Sequence, residues 1–235
     1  MKQTTLSSYQ PSVSRSSQIV LWLLSGVSFT FLFLALAAAF VLYFRPLYYQ
    51  DISRLDLSGT YGLSADQIRD NYDALIDYNS PFSFETLRFP DLPSSTEALI
   101  HFTEVKQLFM GLFLLGLISL FLLLLLLPIQ QKRGTLSGCL LTSALTVVLL
   151  PALVGVGIAF RFEEAFVLFH KLFFRNDFWL FDAETDPIIL LLPDTFFLHC
   201  AAVCVLIVLS GAFCLLLASL FVRKREKRKY AQGNI

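Results

Sequence analysis

Three histidines, His101, His170 and His199, are the side chains of this 235-residue chain whose ordinary titration falls near neutral pH. An imidazole takes a proton from an amine nucleophile or gives one to an ester leaving group, so these positions are the first candidates for chemistry. The plainer alternative for each is an amphipathic side chain with a satisfied hydrogen bond. The four cysteines, Cys139, Cys200, Cys204 and Cys214, all fall in long apolar stretches, which leaves none to form a disulfide in the polar segments. His199, Cys200 and Cys204 have no second cluster to complete a tetrahedral site, and no metal is expected. No two-histidine zinc helix, Gly-x-Ser-x-Gly elbow or glycine-rich phosphate loop occurs, so the usual soluble-enzyme chemistries have no motif to rest on.

The elements that must position the histidines follow from hydropathy. The chain is 56% apolar and 15% charged with 24 phenylalanines, and its mean hydropathy is +0.67, which excludes a water-soluble enzyme. Four stretches carry no charge: Ser16 to Phe44, Gln107 to Gln131, Gly134 to Phe160 and Thr195 to Val222. Each exceeds the roughly 20 helical residues that cross a hydrocarbon core of about 30 Å. The expected fold is an all-α membrane protein with four transmembrane helices. In residue terms the expectation is a cytoplasmic segment 1–17, spans 18–44, 107–129, 134–160 and 195–222, outward loops 45–106 and 161–194, a cytoplasmic turn 130–133 and a basic cytoplasmic tail 223–235. The first apolar run is too long for a secretory h-region and ends in the interfacial group Tyr43, Arg45, Tyr48 and Tyr49. Pro151 is expected to kink the third span, with Gly155 and Gly157 easing close packing.

Charge sets the orientation. The two ends and the short turn hold 10 basic residues and one acid, Glu226, whereas the two loops hold 8 basic residues and 17 acids. The positive-inside rule then places both termini in the cytoplasm and both loops outside. Eighteen basic residues balance 18 acidic ones, which gives no sign of a nucleic-acid partner. The spans contain no Asp, Glu, Lys or Arg to line a pathway, which disfavours a transporter or channel.

The loops are organised. Ser64 and Gln67 have capping-box spacing, and Ile68, Tyr72, Leu75 and Ile76 then recur on one face of an amphipathic helix ending near Asn79. Ser94 and Glu97 suggest a second capping box opening a helix that carries His101 and Glu104 into the second span. In the second loop Phe162, Phe166, Phe169, Phe173 and Phe174 interleave with Glu163, Glu164, His170 and Lys171, as suits a helix lying in the interface or under the first loop. Neither loop is large enough to bury a core alone, so the two should pack into one cap over the bundle. An apolar cleft at headgroup depth, with a few polar groups converging on it, is expected beneath that cap.

Several runs resemble a known family. They are His101-Phe102-Thr103-Glu104-Val105-Lys106, the stretch from Phe169 through His170, Asn176 and Asp177 to Trp179, Asp186-Pro187-Ile188-Ile189, and Leu192, Pro193, Phe196 and Phe197. With Asn71, Tyr72, Leu75, Ile76 and Tyr78 they are similar to the Lit family of bacterial membrane proteins, the lipoprotein intramolecular transacylases. The resemblance runs from about Asn71 to Phe197. At Glu104 the family more often has the shorter Asp. It implies that the sn-2 acyl chain of an S-diacylglyceryl cysteine moves to that cysteine's α-amino group, giving an N-acyl, S-monoacylglyceryl lipoprotein. It also implies a diacylated lipoprotein as substrate, membrane lipid as surroundings, no cofactor and an active site at the outer face of the bacterial cell membrane. The catalytic candidates are His101 and His170, with His101 favoured as the base. Tyr72, Glu104, Asn176, Asp177, Trp179 and Asp186 are candidates for support or substrate binding, and Glu104 and Asp177 are the carboxylates expected to orient the imidazoles. The competing reading is a non-enzymatic membrane partner or sensor subunit whose aromatic cap makes protein contacts.

Overall fold

The computed structural model describes residues 14–231, the side chains at 150, 151, 153–160 and 230 excepted. Residues 1–13 and 232–235 of the expected cytoplasmic ends lie outside the described residues, as do the side-chain surroundings of Pro151, Gly155 and Gly157. The described residues form eight α-helices and one 3-10 turn, with no strand. Three helices are long and apolar enough to cross a membrane: α1 (Arg15–Tyr43), α5 (Thr96–Lys132) and α8 (Asp194–Ala231). A fourth apolar helix, α6 (Leu136–Phe160), follows α5 after a turn in which Gly134 adopts φ 66°. Helix is the form an apolar stretch takes where no water meets backbone N–H and C=O groups, because every bond closes within the segment.

The four long helices pack with α1 in contact with α5, α6 and α8. Gly116 allows a close crossing of α1 and α5, since a Cβ there would stand 2.5 Å from the Ala35 methyl. Phe29, Ala37, Leu123, Ala144, Val147 and Val208 lie in the buried centre of this bundle. One pole of the bundle carries polar ties. Gln18 Nε2 donates to Gln130 Oε1 at 2.6 Å, Thr135 Oγ1 donates to the same oxygen at 2.7 Å, and Ser137 donates to Glu226.

At the other pole the connecting segments build a separate core. Two short helices that sequence periodicity did not reveal, α2 (Pro46–Arg54) and α3 (Leu57–Tyr61), continue from α1. Tyr48, expected among the interfacial residues, is instead fully buried. Its ring stacks on Tyr72 with centroids 3.8 Å apart, meets Phe196 edge-on at 5.0 Å, and its hydroxyl donates to the Leu191 carbonyl at 2.7 Å. Arg45, likewise expected at the interface, bridges Asp73 at 3.0 Å and pairs with Asp77.

The amphipathic helix α4 (Ala65–Tyr78) opens with a complete Ser64–Gln67 capping box and buries Ile68, Tyr72, Leu75 and Ile76. Asn71 on the same helix fixes the proline-bounded strap that follows: its side chain donates to Asp91 Oδ2 at 3.0 Å and accepts from Asp91 N at 3.2 Å. The strap leads into α5, whose cap is Ser95 and not Ser94; Ser95 Oγ accepts from Ala98 N at 3.0 Å. The choice between the adjacent serines is made from the second loop, where Asp186 Oδ1 accepts from Ser95 N at 2.6 Å. Thereafter α5 runs 37 residues without interruption, so His101 in its second turn and the apolar stretch from Gln107 share one rod. The second loop contributes α7 (Phe162–Phe173) and a 3-10 turn (Pro187–Leu191), whose Ile188 and Leu191 enter the same core as α4.

Candidate active site

His101 comes from α5 and His170 from α7, 69 positions apart in the chain, and their rings face each other with centroids 5.9 Å apart and planes 33° out of parallel. Both are buried, at 6% and 8% exposure. Aromatic rings enclose them. Phe174 lies 4.7 Å from the His101 ring and 5.6 Å from the His170 ring, Phe181 meets His101 edge-on at 5.5 Å, and Phe166 and Trp179 flank His170 at 4.1 and 4.7 Å. The spacing Phe166, His170, Phe174 reaches from the first turns of α7 to its C-cap, which puts all three on one side.

The electrostatics follow from this enclosure. Burial, reinforced by the neighbouring His170, lowers the His101 pKa to about 4, so its ring is neutral at physiological pH. Burial also lowers His170, but the bond from its Nδ1–H to the Phe166 carbonyl, 2.7 Å long, opposes the shift by favouring the charged form. That bond fixes the neutral tautomer, leaving the His170 lone pair on Nε2. Two imidazoles this close do not both ionise readily, and His170 is the one better placed to hold the proton. His101 Nδ1 is buried without a partner among the described residues.

The supporting candidates separate into three groups. Trp179, Asn176 and Glu104 are at the pair or beside it: Trp179 stacks on His170, and Asn176 Nδ2 donates to Glu104 Oε1 at 2.8 Å, tying the segment after α7 to the helix that carries His101. Asp186 and Tyr72 act further off. Asp186 caps the start of α5, accepting also from Thr185 Oγ1 at 2.7 Å, and Tyr72 lies in the cap core against Tyr48. Asp177 does not orient His170. Helix α7 ends at Phe173, so helical spacing from His170 no longer applies, and Asp177 is exposed.

The expected apolar cleft also takes a different form. Aromatic side chains close directly on the imidazoles, whereas an open groove of about 380 Å³ lies at the starts of α7 and α8, lined by Arg161, Glu163, Glu164, Asp194 and Thr195 and by neither catalytic candidate. His199 belongs elsewhere. Its Nδ1–H donates at 2.7 Å to Oδ2 of Asp51, a carboxylate with no exposed surface. Sequence reasoning missed Asp51 and Phe181. A helical face through Tyr48, Asp51 and Ile52 would have flagged the first; Phe181, in a non-helical segment, left no periodic signal.

Residues 23–197 match the family described as lipoprotein intramolecular transacylase Lit. The fold is similar to the in meso structure of the membrane integral lipoprotein intramolecular transacylase Lit from Bacillus cereus, with a TM-score of 0.87 and 33% identity over 92% of this chain and 100% of that one. A histidine-to-arginine variant of the Bacillus cereus protein aligns at a TM-score of 0.83 and 33% identity, covering 91% of this chain and 95% of the other. A histidine-to-alanine variant gives 0.83 and 33%, covering 91% and 96%. No curated protein sequence matches the chain. With its family match spanning most of its length and its helical architecture shared with a solved relative, this chain belongs to the membrane-integral Lit family of lipoprotein intramolecular transacylases.

Proposed function

We propose that this protein moves the sn-2 acyl chain of an S-diacylglyceryl cysteine to the α-amino group of the same cysteine, with His101 and His170 as the catalytic pair. The observation that carries the reading is the pair itself, two buried imidazoles 5.9 Å apart where the cap meets α5. In this reading α1, α5, α6 and α8 are four spans with both termini in the cytoplasm, and the cap with its histidines faces outward. An acylated protein N-terminus has its lipid tails in the outer leaflet and its amine at the surface, which is the depth of a site just above the apolar part of α5.

The reaction needs little besides position and proton transfer. Donor ester and acceptor amine share one molecule, so holding them together replaces an encounter, and the exchange of an ester for an amide is downhill. The α-ammonium releases one proton to solvent to become a nucleophile. The amine nitrogen then bonds to the ester carbonyl carbon, and the carbon–oxygen bond to glycerol breaks. His170, with Nε2 as its free lone pair, accepts the second amine proton and returns it to the departing sn-2 oxygen. His101, held neutral, donates its N–H to the carbonyl oxygen as charge develops there. This reverses the assignment favoured by the motif, because the Phe166 bond supports charge on His170 and nothing comparable supports it on His101.

The test is mass spectrometry of the N-terminal lipopeptide of a reporter lipoprotein coexpressed with the wild type, His101→Ala or His170→Ala. The transfer is an isomerisation, so the fragments, and not the parent mass, must locate the acyl chain. Wild type is expected to give N-acyl, S-monoacylglyceryl cysteine and both variants the unchanged diacylglyceryl form. A free amine with wild-type protein inserted in the membrane would instead favour the partner-subunit reading.

A further inference from the structure

Glu104 lies three residues beyond His101 on α5, so the two side chains leave neighbouring points on one helix face. Its carboxylate is used unequally. Oε1 accepts from Asn176 Nδ2 at 2.8 Å, and Asn176 is held in turn because its Oδ1 accepts from Phe178 N at 3.1 Å. Oε2 is buried with no hydrogen-bond partner among the described residues. Among the described residues no Lys or Arg pairs with it either; Lys106, two residues on, donates to the Ser83 carbonyl at 2.7 Å and lies over the Tyr78 ring at 4.4 Å. A carboxylate oxygen taken from water and given no donor is costly. Anchoring one oxygen while leaving the other open therefore suits a donor supplied by a bound molecule.

From this geometry we infer that Glu104 Oε2 receives the α-ammonium of the lipoprotein's N-terminal cysteine and selects a free amine over an N-acylated one. The inference rests on the oxygen-to-nitrogen transfer proposed above. It deepens that reading by naming what places the nucleophile: a carboxylate on the same face as His101, steadied by an amide from the segment that follows α7. It also bears on turnover. The product nitrogen is a neutral amide, so the contact that recruited the substrate is lost once transfer is complete.

The test uses two unreactive probes, diether analogues of the diacylglyceryl cysteine lipopeptide, one with a free amine and one N-acetylated. Their dissociation constants are measured by titration of the full-length protein in lipid-containing micelles. Wild type is expected to bind the amine at least about tenfold more tightly, the size of one charge-assisted hydrogen bond. Glu104→Gln keeps an oxygen for Asn176 but removes the charge, and should bring the two constants to within about twofold; a merely structural role would leave their ratio unchanged. A second reading needs no variant, because raising the pH from about 7 to about 9.5 deprotonates an amine of pKa near 8 and should cancel the wild-type preference. A wild-type ratio near one, a ratio that survives Glu104→Gln, or a preference that survives deprotonation each overturns the assignment. Wild type that makes no N-acyl product from the ester substrate overturns the parent reading and this inference together, whereas product formation with an unchanged ratio overturns the role of Glu104 alone.

Discussion

The cap–bundle junction holds histidines in two unlike settings. His101 and His170 are enclosed by Phe166, Phe174, Phe181 and Trp179 with no carboxylate among the described residues bonded to either ring, whereas His199 donates to the buried carboxylate of Asp51. A His–Asp pair resembles half of a hydrolase triad, yet here it joins α2 to the first turns of α8. The pair in the aromatic enclosure has the features that proton transfer needs: neutral rings, a defined tautomer and mutual proximity. On the proposed function, a carboxylate partner goes with the structural role of His199, and an aromatic enclosure goes with the proposed reactive pair.

The largest expected effect is on turnover. His101→Ala or His170→Ala should each lower the rate of acyl transfer by about a thousandfold or more, with the double variant little worse than either single one, while the melting temperature changes little. Rates from purified protein on a diacyl lipopeptide, paired with thermal melts, check both halves. His199→Ala should do the reverse. It strands the Asp51 carboxylate, whose other neighbour, Arg54, stands 4.0 Å away, so stability should fall by about 3 kcal/mol while folded protein keeps its rate. A His199→Ala protein that melts normally but does not turn over would collapse the distinction.

Acidification sharpens the comparison further. Both His101 and His170 have folded-state pKa values below the ordinary 6.5, so between that value and about 4 the unfolded chain binds more protons than the folded one. Their contribution to stability is thus fully present above pH 6.5 and is lost as the pH falls toward 4. Turnover should fall further as the pH drops below 6.5, where protonation of His170 adds a second limb to that of the substrate amine, readable from pH–rate profiles. Replacing Asp186 with Ala should cost about 1–2 kcal/mol by leaving Ser95 N unpaired, and slow transfer about tenfold because His101 follows in the second turn. The smallest effect is Asp177→Asn, expected within about twofold of wild type in rate and unchanged in melting.

What could be read in the residues was whatever obeyed a period. The face Ile68, Tyr72, Leu75 and Ile76 and the Ser64–Gln67 capping box are local patterns, and α4 forms on both. The start of α5 was missed by one residue because two serines precede it and a residue far along the chain, Asp186, chooses between them. Tyr48 carried the signature of a membrane-belt tyrosine but meets Tyr72 and Phe196 in the cap core, an outcome set by tertiary packing. The histidines could be placed near one another by topology alone. The carboxylate assignments could not, because extrapolating a helix past Phe173 favoured Asp177, while the turn that replaces it directs Asn176 to Glu104.

The continuity of α5 has a mechanical side. At 1.5 Å per residue its 37 residues make a strut about 55 Å long, with His101 near one tip and Gln130, which ties α1 and the following turn, near the other. A strut anchored at its foot acts as a lever, and a change of inclination of about 10° sweeps its upper end sideways by roughly 9 Å. Bilayers of different thickness set different inclinations for a helix of fixed apolar length. A change in the inclination of α5 alone would therefore displace His101 relative to His170, which rides on the separate helix α7.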